Sequence, residues 1–119
     1  MDISILESCG IDYSHGLARF LGDTALYESV LEMFLNDSTM DEARAAMSAR
    51  DYQALFEAAH QLKGISGNQD MTMLYGSSSC LSDMLRQNDI DEAAVATEFA
   101  VMERDYQQVT EGIKRALRA

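Results

Sequence analysis

The chain has 119 residues, of which 9 are Lys or Arg and 20 are Asp or Glu, so its formal net charge is −11 at pH 7. This length suits one domain over residues 1–119 that buries its own core, and it excludes a multidomain enzyme. With 47% hydrophobic residues the chain is expected to fold. Its acidity, with a pI of about 4.3, excludes nucleic acid and acidic membrane surfaces as expected partners.

Neither a membrane span nor an export signal is visible in the sequence. No apolar run reaches ~18 residues. The first residues, Met-Asp-Ile-Ser, lack the basic start of a signal peptide. The two cysteines, Cys9 and Cys80, are therefore expected to be reduced, as in a cytoplasmic protein. As small hydrophobic residues, both are also expected to be buried.

The residue types predict an all-α fold. The chain has no proline, no hairpin dipeptide and no alternating β-branched run. Ala, Leu, Met, Glu, Gln and Arg dominate, and all of these favour helices. Two short N-terminal helices are expected over Ile3–Gly10 and Ser14–Leu21, with Ser14 capping the second helix and Gly22 ending it.

The middle of the chain predicts four further helices. Asp23 is expected to cap the third helix, and the fourth extends to about Ala49. The fifth is predicted from Tyr52 to about Gln69, with Asp51 as its cap. The sixth is predicted from about Met71 to Arg86.

The last helix has the most regular pattern. Its apolar residues recur at three- and four-residue spacing and predict one buried seam: Val95, Phe99, Met102, Tyr106, Val109, Ile113 and Leu117. A helical bundle explains this seam better than a coiled-coil dimer, because other amphipathic helices of the chain can cover it. We therefore predict a monomeric antiparallel four-helix bundle with additional short N-terminal helices.

The predicted fifth helix has one face that is unusual for a structural helix. At ~100° per residue, Leu55, Ala58, Leu62 and Ile65 form a buried stripe, and His60 points away from that stripe. We therefore expect the His60 imidazole to face solvent.

Four other residues share the face of His60: Phe56, Lys63, Gly64 and Gly67. A glycine inside a helix costs ~1 kcal/mol relative to alanine. Two glycines beside an imidazole and an ammonium therefore indicate room for an incoming anion or a close partner. Phe56 is expected to be exposed and to assist docking.

The segment Ala59–Gly67, Ala-His-Gln-Leu-Lys-Gly-Ile-Ser-Gly, resembles the histidine-phosphotransfer (HPt) motif, in which His-x-Leu-Lys-Gly is followed by a small residue. The resemblance extends over roughly Ile11–Leu85. It implies a phosphorelay carrier in which His60 accepts a phosphoryl group from a receiver-domain aspartate and passes it to another receiver. Lys63 would offset the phosphoryl charge.

The same resemblance implies that Gly64 and Gly67 give the partner room to approach. The expected partners are response-regulator receiver domains or a hybrid sensor histidine kinase. The chain would need no cofactor of its own and would not be an independent enzyme, since Mg²⁺ is expected on the receiver. The initial Met and the N-terminal helix favour a free-standing carrier over a piece of a larger kinase.

The sequence departs from the family after the motif. Many members have an apolar residue and a glycine nine and ten positions after the histidine, where this chain has Gln69 and Asp70. We expect Asp70 to cap the next helix. His15 is expected to be an ordinary surface residue, and Ser66 a small packing residue. Most of the methionines, including Met33 and Met73, are expected to fill the core.

Two other function classes stay open at this point. One is an adaptor that binds a receiver through an HPt-like surface without taking phosphate. The other is a metal- or haem-binding bundle or a small hydrolase, which has little support. Glu57 and His60 form the one Glu-x-x-His pair, but the pair points outward and has no second copy.

Overall fold

The computed structural model describes residues 1–119, and its regular secondary structure is entirely helical, which confirms the all-α prediction. The elements are α1 (Ile3–Ser8), α2 (Tyr13–Arg19), α3 (Thr24–Met33), a 3-10 turn (Phe34–Asn36), α4 (Thr39–Ala49), α5 (Tyr52–Asn68), α6 (Thr72–Leu85) and α7 (Glu92–Arg118). No helix combines the length and apolar character that crossing a membrane requires.

Aspartates cap most of the helices. Each of these carboxylates accepts a hydrogen bond from the backbone N–H three residues on, as N-caps do; they are Asp2, Asp12, Asp23, Asp51 and Asp91. The predicted caps Asp23 and Asp51 are confirmed. The predicted cap Ser14 is wrong, because α2 begins at Tyr13 and Asp12 caps it.

The core lies where α5 packs against α4 and α6, and where α6 and α1 pack against α7. The predicted seam of α7 is buried at Val95, Met102, Val109 and Ile113, and half-buried at Phe99 and Tyr106. Leu117 is 41% exposed, and Ala116 faces the core instead. Each step of four residues turns a helix ~40° past a full circle, so two such steps carry Leu117 off the seam.

Several small expectations about sulfur-containing residues need correction. Cys9 is buried and Cys80 is exposed, and both are free. Met33 and Met73 are also exposed, because they lie on the outer sides of α3 and α6. Cys9 fits closely against α7 because Gly112 has no side chain there.

The turn between α5 and α6 depends on Asp70, although not as a cap. Its backbone is left-handed, with a φ of 57°. Asp70 Oδ1 lies 2.6 Å from His15 Nδ1, and Arg19 Nε donates to Asp70 Oδ2 at 3.0 Å. The expected cap is wrong, since no side chain caps α6. His15 is not an ordinary surface residue, because this contact ties α2 to the turn.

Candidate functional site

Helix α5 presents one buried and one open face. Its buried residues are Leu55, Ala58, Ala59, Leu62 and Ser66. Ser66 is a packing residue as expected, and its hydroxyl donates to the carbonyl of Leu62 at 2.6 Å. Ile65, predicted to be buried, is only half-buried. The buried stripe is therefore centred further toward Ala59 than the sequence predicted.

The open face contains His60 and Gly64, one turn apart. Both residues are exposed, as predicted. A Cβ atom added to Gly64 would meet no atom within 4 Å. Lys63 is half-buried beside them and takes part in no ion pair. The imidazole thus lies next to free space and an unpaired ammonium, an arrangement that suits an incoming anion.

Phe56 differs from its prediction. It is half-buried rather than exposed, because the shifted stripe carries its ring against the core. The Phe56 and His60 rings are stacked, with centroids 5.8 Å apart and planes 18° apart. The guanidinium carbon of Arg86, the residue that follows α6, lies over the Phe56 ring, 5.5 Å from its centroid.

Gly67 also differs from its prediction. A Cβ atom at this position would lie 3.0 Å from Cδ1 of Tyr75, so the missing side chain makes room for a tyrosine of α6. Tyr75 is itself 43% exposed. The site therefore has a second wall beside the α5 residues. It is formed by Tyr75 of α6 and by Arg86 at the C-terminal end of α6.

Sequence reasoning missed Tyr75 and Arg86 because they lie far from His60 along the chain. A single helical periodicity relates residues within one helix and does not show how two helices are aligned with each other.

The structure offers no group of three or more His, Cys, Asp or Glu side chains arranged to hold a metal ion.

One of three comparisons with known proteins finds a match. A comparison with protein-family models matches residues 29–117 to the Hpt domain. No match was found among the curated proteins or among the solved structures. The matched segment includes the whole of α5 with its open face. Because it covers most of the chain, the chain belongs to the Hpt domain family, whose members are phosphocarrier modules of histidine phosphotransfer relays.

Proposed function

We propose that His60 is the residue that accepts and passes on the phosphoryl group. The observation that carries this proposal is the exposure of His60 beside the empty space at Gly64. The only other histidine, His15, is held by Asp70 at 2.6 Å. His60 is therefore the histidine whose ring is free of any hydrogen bond.

The transfer requires little machinery from this chain. One ring nitrogen of a neutral imidazole attacks the phosphorus of the receiver's aspartyl phosphate. The P–N bond forms and the P–O bond breaks, and the receiver's carboxylate leaves with the electron pair. The reverse step delivers the phosphoryl group to another receiver. We propose that Mg²⁺ belongs to the receiver, so this chain needs no cofactor.

Lys63 is proposed to offset the charge of the phosphoryl group. Lys63 lies one turn from His60 on α5, and its ammonium has no carboxylate partner that would compete. A lysine presents a compact charge on a flexible stem, which suits an anion that arrives and departs. Lys63→Ala should slow transfer or destabilise the phosphorylated form. Unchanged rates in both directions would remove Lys63 from the mechanism.

The receiver is proposed to dock over Gly64, with Gly67 and Tyr75 at the edge of the contact. Gly64 leaves the helix backbone bare. Tyr75 offers an aromatic side chain with a polar tip, a residue type enriched at interfaces. The proposed partners that dock on this surface are response-regulator receiver domains or a hybrid sensor histidine kinase.

We further propose that helices α4–α7 form an antiparallel four-helix bundle within one monomeric domain. Arg44 of α4 pairs with Glu103 of α7 at 2.9 Å, and Tyr52 at the start of α5 bonds Glu92 at the start of α7. These contacts support an arrangement in which α4 runs antiparallel to α7 and α5 runs parallel to α7.

The two free cysteines are compatible with a cytoplasmic location.

The test is phosphoryl transfer from a panel of labelled receiver domains to the wild type, to His60→Gln and to His15→Gln. We expect label on the wild type and on His15→Gln, stable in base and lost in acid. We expect none on His60→Gln. Label that persists on His60→Gln would contradict the assignment. A receiver that binds the folded wild type without ever labelling it would favour the non-phosphorylated adaptor instead.

A further inference from the structure

We infer that Phe56 is a positioning residue that holds the His60 imidazole in one orientation. The effect on phosphoryl transfer rests on the proposed role of His60, whereas the orientation of the ring does not. It differs from the docking role that the sequence suggested for Phe56, because the ring lies beneath the histidine rather than in the open. The two side chains are four residues apart, the spacing at which helix neighbours meet.

The stack is the contact that orients the His60 ring. The 5.8 Å centroid separation and the 18° angle fall in the range of offset aromatic stacking. The only histidine ring that forms a hydrogen bond in the structure is that of His15. An exposed imidazole without hydrogen bonds would otherwise sample several rotamers.

Phe56 can act as a support because it is itself fixed on two sides. Its ring packs against the hydrophobic core. From the C-terminal end of α6, the Arg86 guanidinium covers the ring at 5.5 Å, a distance typical of a cation–π contact. The orientation of His60 is therefore coupled to the packing of α5 on α6.

A fixed imidazole changes the rate of transfer rather than the affinity of the receiver. Attack on phosphorus needs the ring nitrogen in line with the breaking bond, and preset geometry lowers the entropic cost of reaching it. A docking residue would do the reverse. Its loss would weaken binding and leave the rate within the bound complex unchanged.

The first test needs no receiver. Side-chain NMR of the wild type should show ring-current shifts on the His60 ring protons and one dominant χ1 rotamer. Phe56→Leu keeps an apolar side chain but removes the aromatic face, so it should lose the shifts and average the rotamers. Phe56→Tyr should retain both signatures. Identical His60 signals in all three proteins would overturn the inference.

The second test separates positioning from docking and from a purely structural role. In single-turnover transfer from a phosphorylated receiver, Phe56→Leu should lower the maximal rate constant by roughly threefold to tenfold and leave the Kd for the receiver unchanged. Phe56→Tyr should restore the rate constant. A raised Kd with an unchanged maximal rate constant would overturn the inference in favour of docking. A melting temperature lowered equally in both variants, with His60 rotamers unaffected, would overturn it in favour of packing alone.

Arg86 provides an independent variant that leaves the Phe56 side chain in place. Arg86→Gln removes the cation–π contact and should broaden the His60 rotamer distribution, whereas Arg118→Gln, at the far end of α7, should not.

If the wild type takes no phosphate from any receiver, the proposed function fails. The NMR comparison would still confirm or overturn the stack.

Discussion

Gly64 and Gly67 are one turn apart on α5 but have different surroundings. Gly64 faces empty space, whereas Gly67 lies against Tyr75 of α6. The sequence predicted the same role for both glycines, because both lie on the face of His60. The structure separates them, since only Gly64 leaves the backbone bare to a partner.

Gly64→Leu should hinder the receiver while keeping the fold. A Cβ atom at Gly64 meets no atom within 4 Å, and replacing glycine inside a helix should stabilise the fold by ~0.5–1 kcal/mol. We expect the Kd for the receiver to rise roughly tenfold, a loss of ~1.4 kcal/mol of binding free energy. Gly76→Leu is the matched control, because Gly76 is equally open on α6. A normal Kd and a normal single-turnover transfer rate for Gly64→Leu would refute the clearance argument.

Gly67→Leu should destabilise the protein through Tyr75. A Cβ atom at Gly67 already approaches the Tyr75 ring at 3.0 Å, so a larger side chain must displace that ring. Overpacking of this kind costs ~1–3 kcal/mol. Chemical denaturation should show that Tyr75→Ala relieves much of the loss in a double-mutant cycle. Strictly additive effects would mean that the two residues do not share this space.

Among the elements, the junction between α5 and α6 differs most from what the sequence predicts. The caps Asp23 and Asp51 were predictable because each bonds a backbone N–H only three residues away. Asp70 was not predictable, because its partners His15 and Arg19 are 55 and 51 residues distant. Its left-handed backbone also explains why glycine suits this position, since φ is positive there.

The pKa of Asp70 predicts a dependence of stability on pH. Burial raises this pKa, but hydrogen bonds from Arg19 and His15 outweigh burial, so the pKa is lowered from the usual 3.8. A carboxyl whose pKa is lower in the folded than in the unfolded state stabilises the fold at pH values above its unfolded pKa. That stabilisation is lost as the pH falls through the lower folded pKa.

Asp70→Asn should therefore lower the free energy of unfolding by ~1–2 kcal/mol at neutral pH. Asparagine tolerates the left-handed backbone, so the variant isolates the charge. The difference from the wild type should shrink below about pH 4, measured by urea denaturation across pH. Asp89→Asn changes an exposed carboxylate and is the control. A pH-independent difference would show that the ion pairs are not its cause.

At the scale of the whole molecule, the sequence predicted the helical class and the face that carries His60. Periodicity and residue type determine these features within single helices. The sequence did not predict the neighbours of that face, because Tyr75 and Arg86 reach it only through the packing of α6 on α5. The exposure of Phe56 was mispredicted for a related reason. The true centre of the buried stripe depends on which neighbours α5 meets.

The protein is expected to be a monomer of 13.2 kDa. Its net charge of −11 opposes association between identical chains. Light scattering after size exclusion should give this mass at low salt and again at high salt, where the repulsion is screened. A mass twice as large in either condition would contradict the monomer.

The most direct measurement is the position of the phosphoryl group on the wild-type chain. The protein is incubated with a labelled receiver, kept at neutral or basic pH, digested and mapped by mass spectrometry. Phosphate on the α5 peptide at His60, with none on the peptide that contains His15, is the result we predict. Phosphate on His15, or an unmodified chain bound to its receiver, would contradict the assignment of His60 as the carrier residue.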